Sequence, residues 1–364
     1  MIDSSHPKKL KRARRIASAL VVCFALVVSS GCGALKDRFV KNKVTVPPVI
    51  GPLVEADMNG LLAEINRIAQ VRSLQGRIDV QFLDTSFAEC GVAEKYRTAD
   101  GTLILQRPGQ IYLSIKAPFG VKVADMSSDG EHFWVAVFQG DERYKKFARG
   151  TNTASYTRVD AGDGVTLGTA RNGASPCGKD GNRQANMQRA AVSSLSGLRP
   201  QHFTDALMLR PATTEGSNVI YSLSESFEEE PDTRQGAKRG ARVVRGYYLL
   251  AELAPENANR ARLLRRFWFN RVGQLNLARV QNYDDAGKLV TDVVYREPRN
   301  FGEQGRYRLP SEIELTRPQD HYSLRITFQA PEEARVDEQY EEDIFILKNN
   351  SNLPEVNLDE RNRQ

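Results

Sequence analysis

The stretch GTLILQRPGQIYLSIKAPFG, residues 101–120, contains the pattern from which the fold is inferred. Apolar residues occupy alternate positions in two short runs, and the pair Pro108-Gly109 separates the runs. A period of two is typical of strands with one buried face, and so short a connection requires antiparallel pairing. The stretch therefore predicts two neighbouring antiparallel strands, followed by a second turn at 118–120.

The same pattern extends over most of the chain. Strands are predicted at 77–84, 94–106, 110–117, 120–127, 131–138, 218–226, 240–252, 262–270, 274–283, 288–296, 306–315 and 321–329. From Leu53, apolar residues return at spacings of three and four, which predicts an amphipathic helix of about 20 residues. One or two short helices are predicted between Ser193 and Leu209. The order of elements indicates an α+β fold built on an antiparallel sheet.

The N-terminus has the form of a secretory signal peptide. Six basic residues between Lys8 and Arg15 precede an apolar run, 16–28, which is too short to cross a bilayer as a stable helix. The run ends in VVSSGC, which resembles the bacterial lipobox. Residues 1–31 are therefore expected to be removed and Cys32 to be acylated; cleavage elsewhere, with Cys32 unmodified, is the alternative. Gly33, by resemblance to envelope sorting signals, favours the outer membrane, on the side facing the periplasm.

Changes in amino-acid composition along the chain predict four segments in the mature protein. Residues 32–50 are a tether after the lipidated cysteine, and 51–330 form the main domain. A polar insertion is predicted at 139–192, and 331–364 read as a polar C-terminal tail.

Charge and cysteine content limit the function. The net charge of +6 lies mostly in residues 1–31, so the mature chain is almost neutral and no nucleic-acid partner is expected. Once Cys23 leaves with the signal peptide and Cys32 is lipidated, Cys90 and Cys177 remain. In an oxidising compartment they could form a disulfide, or they could stay as two free thiols.

No motif points to catalysis or metal binding. The sequence contains no H-E-x-x-H, no G-x-S-x-G and no cysteine pairs at metal-ligand spacing. Asn282, Asp284 and Gly287 faintly resemble a calcium loop, but a hairpin turn explains them better. We therefore expect no catalytic residues, no metal and no cofactor, and a protein that is not an enzyme.

The order of one helix, a run of strands, a short helical insertion and further strands resembles the LolA/LolB superfamily of lipoprotein carriers and receptors. The likeness is strongest over 101–120, continues into SDGEHFWV at 128–135, and recurs from RFWFN at 266 to DDAGKLVTDVVY ending at 295. It covers about residues 53–330. It implies a strongly curved antiparallel sheet, an incomplete barrel, with a helical lid over a concave apolar face that receives acyl chains.

Alternation supplies candidate residues for that face. Those that could share it and line a cavity are Leu103, Leu105, Ile111, Leu113, Ile115, Val121, Val123, Phe133, Val135, Phe267, Phe269, Leu324, Ile326 and Phe328. Phe203 and Leu207 would belong to the lid. The alternative for each is ordinary core packing, because every half-buried sheet shows alternating apolar residues.

Two functions follow from these expectations. One is a membrane-anchored lipoprotein that binds acyl chains of lipids or lipoproteins in lipoprotein transfer or outer-membrane biogenesis, with a periplasmic carrier as a candidate partner. The other is a structural or assembly lipoprotein whose sheet is a scaffold without lipid cargo. Bound lipid distinguishes them.

Overall fold

The computed structural model describes residues 46–85, 94–95, 98–139, 142, 145–154, 199–213 and 218–361. Residues from Val49 to Gln364 form one compact unit. The predicted signal peptide and most of the tether lie outside the described residues, as do Cys32, Cys90, Cys177 and most of the insertion 139–192.

Three α-helices are described: α1 (Met58–Ala69), α2 (Pro200–Leu207) and α3 (Leu358–Arg361). Helix α1 begins where the Asp57 side chain accepts a hydrogen bond from the Gly60 amide, at 2.9 Å. The residues before Asp57 are not helical, and Leu53 forms a β-bridge with Val272. The helix is therefore 12 residues long, and its predicted start at Leu53 is wrong. Helix α2 lies within the range predicted for short helices.

The strands occupy most of the remaining described residues. They are β1 (Ser73–Asp84), β2 (Glu94–Lys95), β3 (Ala99–Gln106), β4 (Gln110–Lys116), β5 (Lys122–Ser128), β6 (His132–Val137), β7 (Lys146–Thr151), β8 (Ile220–Pro231), β9 (Arg242–Asn257), β10 (Arg260–Asn270), β11 (Asn276–Tyr283), β12 (Leu289–Phe301), β13 (Tyr307–Arg317), β14 (Tyr322–Phe328), β15 (Arg335–Val336) and β16 (Glu355–Asn357). Each predicted strand overlaps one or two of these. Strands β7, β15 and β16 were not predicted, because they are short and lie in mostly polar sequence.

These strands form one large, curved, unclosed sheet. Its order is β16-β7-β6-β5-β4-β3-β1-β14-β13-β12-β11-β10-β9-β8, with β2 and β15 also paired to β1. Strand β1 lies between β3 and β14 and so joins the two runs of strands. Strand β16 pairs with β7 in parallel, whereas the other strand pairs are antiparallel. The expectation of a purely antiparallel sheet is thus corrected to a mixed one.

Alternation along the strands gives the sheet an apolar inner face. In the hairpin of β3 and β4, Leu103 lies opposite Leu113 and Leu105 opposite Ile111, and all four are fully buried. The inner face carries two groups of buried side chains. The first apolar cluster is formed mainly by β1, β3–β6, β13, β14 and α2, and the second by β9–β11 and α1.

The C-terminal segment 338–361, here called the strap, lies across the outer face of the same strands. The Tyr340 amide donates to Gln106 Oε1 at 2.8 Å, and the Leu347 amide donates to Ser127 Oγ at 3.1 Å. The side chain of Phe345 is fully buried. The strap then pairs with β7 as the edge strand β16, and Leu358 joins the margin of the first apolar cluster. The segment expected from composition to be a polar tail therefore packs on the sheet.

Candidate functional site

The first apolar cluster brings together most of the predicted cavity residues. Its buried members include Leu103, Leu105, Ile111, Leu113, Ile115, Phe133, Val135, Leu324, Ile326 and Phe328, and the partly buried Val123 packs against it. Each of the buried ones is at most 6% exposed. In this arrangement they form a packed, water-excluded surface between the sheet and α2.

The other predicted residues lie elsewhere. Phe267 and Phe269 belong to the second apolar cluster, where they lie with Leu61 and Ile65 of α1. Val121 is 47% exposed and precedes β5, so it belongs to neither cluster. Alternation along a strand does not report which of two clusters on one face a side chain joins.

The two predicted lid residues lie on α2, over β4, β5 and β13. Phe203 is fully buried in the first apolar cluster, and the half-buried Leu207 packs against it. Helix α2 has only eight residues, so it is a small cover on a large apolar surface.

Two polar contacts hold α2 to the sheet. His202 Nδ1 lies 2.5 Å from the Tyr322 hydroxyl, and the Tyr295 hydroxyl donates to the Ala206 carbonyl at 2.8 Å. Burial, together with the positive charges of Arg317 and Arg199, holds the pKa of His202 well below its usual value. His202 is therefore neutral at neutral pH, in the form whose Nδ1 can accept the Tyr322 proton. Burial also raises the pKa of Tyr322, which keeps its hydroxyl proton.

Further hydrogen bonds hold the ends of both helices together. The Asn66 amide group of α1 donates to the Ala212 carbonyl and accepts from the Ala212 amide, at 3.0 and 2.9 Å. Arg107, in the turn between β3 and β4, donates to the carbonyls of Val71 and Leu209. The side chains of Asn66 and Arg107 thus bind backbone groups of the segment following α2 and tie it to α1 and the residues after α1.

A second feature is an exposed aromatic tip at the turn between β4 and β5. The Phe119 side chain is fully exposed, and its backbone has a φ of 68°, which a bulky residue rarely adopts. The half-exposed Val121 and the exposed Lys116 and Lys122 flank it. The tip therefore combines an apolar end with positive charge.

The sequence did not predict either the contact of His202 with Tyr322 or the exposed tip at Phe119. It placed a turn at 118–120 but overlooked that a phenylalanine in a tight turn has nowhere to be buried. His202 was passed over as one of four scattered histidines. The sequence did contain a signal for His202, because it is a titratable residue beside Phe203 in a helix predicted to cover an apolar face.

The described residues offer little for metal chemistry or for spanning a membrane. In the ranges given above, no group of three His, Cys, Asp or Glu side chains is placed to hold a metal ion. Nor does any helix there combine the length and apolar composition needed to cross a bilayer.

No protein-family model matches the chain, and no curated protein matches it either. Several solved structures are similar, including these three. The LolA superfamily protein NE2245 from Nitrosomonas europaea has a TM-score of 0.37 at 10% identity, covering 78% of this chain and 96% of that one. A DUF1329 family protein from Desulfovibrio piger has a TM-score of 0.36 at 12% identity, covering 80% and 96%. A domain from Vibrio parahaemolyticus, named for outer membrane lipoprotein sorting, has a TM-score of 0.35 at 11% identity, covering 78% and 94%.

Proposed function

We propose that this protein is a lipid-anchored envelope lipoprotein that binds acyl chains of lipids or lipoproteins on its inner face, beneath α2. The observation that supports this most directly is the mismatch between the eight-residue helix and the apolar cluster under it. Moving α2 aside uncovers side chains such as Leu113 and Phe133 without unpairing a strand. Helix α2 then acts as the helical lid.

Replacing the contacts of α2 with those of an acyl chain is energetically favourable. An acyl chain contributes about 0.8 kcal/mol for each methylene removed from water, so a few methylenes compensate for the lost contacts of Phe203 and Ala206. The polar contacts from His202 and Tyr295 are few, and water can replace them when the helix lifts. The proposed role is non-catalytic, in lipoprotein or lipid transfer or in outer-membrane biogenesis, with a periplasmic carrier as partner.

This proposal is tested by asking whether the protein carries bound acyl chains and where on the protein they bind. A soluble form beginning after Cys32 should contain acyl chains detectable by mass spectrometry after extraction. A photoactivatable fatty acid should label peptides from β3–β5 and α2, which surround the first apolar cluster. Residues 343–353 of the strap, which lie over the outer face, should stay unlabelled and serve as the internal control.

The full burial of the first apolar cluster favours a second function, a structural or assembly lipoprotein in which the same residues are only core. Consistent absence of bound acyl chains, together with no labelling at β3–β5, would reject the carrier and leave the scaffold function.

The exposed tip yields a prediction about membrane contact. Phe119→Ser should weaken binding of the soluble form to vesicles of phosphatidylethanolamine and phosphatidylglycerol by about tenfold or more, because burying a Phe side chain is worth ~1.5–3 kcal/mol. Cosedimentation with the vesicles measures the change. Phe227→Ser, at a half-exposed Phe on β8, is the matched control and should bind as the unaltered protein does. Equal binding by the Phe119 variant would show that another surface meets the membrane.

A further prediction concerns the anchor. Cys32→Ala should abolish labelling by a palmitate analogue and leave the chain unprocessed or soluble. The unaltered protein should sediment with outer-membrane fractions in a density gradient. Undiminished labelling of the variant would place lipidation at another residue, and recovery with the inner membrane would contradict the proposed location.

A further inference from the structure

A cleft of about 330 Å³ lies between the outer face of the sheet and the strap, on the side opposite the apolar clusters. Strands β4–β7 form its floor, and residues 343–353 form its roof. Its volume is at the lower end of the range for small-molecule sites. The floor contributes three aromatic side chains, Tyr112, Phe138 and Phe147.

Asp125 is the unusual residue of this floor. It is only 2% exposed, although carboxylates are rarely buried without full pairing. Its Oδ2 accepts from Lys122 Nζ at 2.8 Å. Its Oδ1 is buried and has no hydrogen-bond partner in the described part of the chain. One acceptor site of a buried carboxylate is therefore unfilled beside a cleft whose lining combines aromatic and polar side chains.

The neighbours of Asp125 limit what can fill that site. The Lys122 ammonium also lies 5.3 Å from the centre of the Phe138 ring, so one cation already occupies the space between carboxylate and aromatic ring. The Lys122 side chain is 49% exposed and flexible, and can move into solvent. A ligand ammonium entering there finds the same carboxylate and the same ring face.

We propose that this cleft binds a small primary amine, whose ammonium group takes the place of Lys122 against Asp125 and whose apolar body lies among Phe138, Phe147 and Ile346. The site is separate from the inner face and does not depend on acyl-chain binding. An ammonium supplies three donors, enough to fill both carboxylate oxygens. A neutral compound of the same shape lacks the charge that the buried carboxylate requires.

Benzylamine is the probe, with benzyl alcohol as its neutral counterpart. Saturation-transfer NMR on the full-length protein in detergent micelles, with empty micelles as the blank, should show benzylamine binding that saturates below about 10 mM, as expected for so few atoms. Benzyl alcohol should bind at least about tenfold more weakly. Absence of saturable binding, or equal binding of the two compounds, would overturn the proposal.

Substitutions in and outside the cleft test whether benzylamine binds there. Asp125→Asn should weaken benzylamine binding at least about tenfold, while Asp100→Asn, an exposed Asp outside the cleft, should not change it. Ala136→Leu fills the cleft from its floor and should abolish binding, and it decides the matter if Asp125→Asn fails to fold. Lys122→Met should bind more tightly, because the ligand no longer displaces an ammonium. Unchanged binding by Ala136→Leu, or weaker binding by Lys122→Met, would reject the site.

Discussion

Leu113→Asp and Phe133→Asp are each expected to lower the free energy of unfolding by at least ~3 kcal/mol, a large part of the stability of an ordinary domain. Leu113 is fully buried and Phe133 is 2% exposed, both in the first apolar cluster under α2. A carboxylate at either position has no partner and no water while the helix is closed. Chemical denaturation followed by circular dichroism measures the loss, with thermal melting as a second readout.

Val121→Asp is the matched control for these two substitutions. The sequence pattern placed Val121 on the same face, but it is 47% exposed, so an added charge meets water and should change stability by no more than ~0.5 kcal/mol. If all three variants melt alike, the first apolar cluster is open to water in the free protein and α2 does not close over it. Helix α2 would then be a loosely attached segment and not a lid.

Alternation of apolar residues and short turns in the sequence predicted many of the antiparallel strand pairs. Alternation in residues 101–120 placed Leu103 and Leu113 on the inner face, and the observed register sets them directly opposite one another. A turn as short as Pro108-Gly109 leaves only one way to pair β3 with β4. Such hairpins follow from sequence because the interacting residues are neighbours in the chain.

Contacts between distant residues were not visible in the sequence. The pairing of β1 with β14 joins residues about 250 positions apart, and no turn motif in the sequence indicates it. The strap was taken for a polar tail because its attachment to the sheet depends on polar contacts, such as that of Tyr340 with Gln106, and on only two buried apolar side chains, Phe345 and Leu358. Helix α1 was predicted too long because apolar spacing continues through residues that instead extend along the sheet.

The same limit applies to the candidate site. Period-two alternation reports which way a side chain points, but not whether a helix or a ligand covers it. It therefore grouped Phe267 with Leu113, although the structure places them in different clusters under different helices. The contact between His202 and Tyr322, which attaches α2 to the sheet, spans 120 positions and had no local signal beyond the residue types.

Acidification should weaken the attachment of α2 through His202. Because its pKa is below the usual value in the folded state, the unfolded chain binds the proton more readily than the folded one does. The stabilising contribution is therefore complete above about pH 6.5, the pKa of an unfolded histidine, and is lost as the pH falls below it. While only the unfolded form is protonated, this histidine alone contributes a slope of about 1.4 kcal/mol per pH unit.

His202→Gln separates this effect from the titration of carboxylates. Glutamine does not titrate, and its side-chain oxygen can still accept from the Tyr322 hydroxyl, so the variant should show a shallower loss of stability between pH 6.5 and acid pH. His132→Gln, at an exposed histidine, should keep the full slope of the unaltered protein. Hydrogen exchange should place the early opening in residues 200–207, since protonation there sets a buried imidazolium against Arg317 and Arg199 and removes the acceptor for Tyr322. If the pH profiles of the His202 variant and the unaltered protein coincide, or if exchange at 200–207 is insensitive to pH, protonation of His202 does not control the attachment of α2.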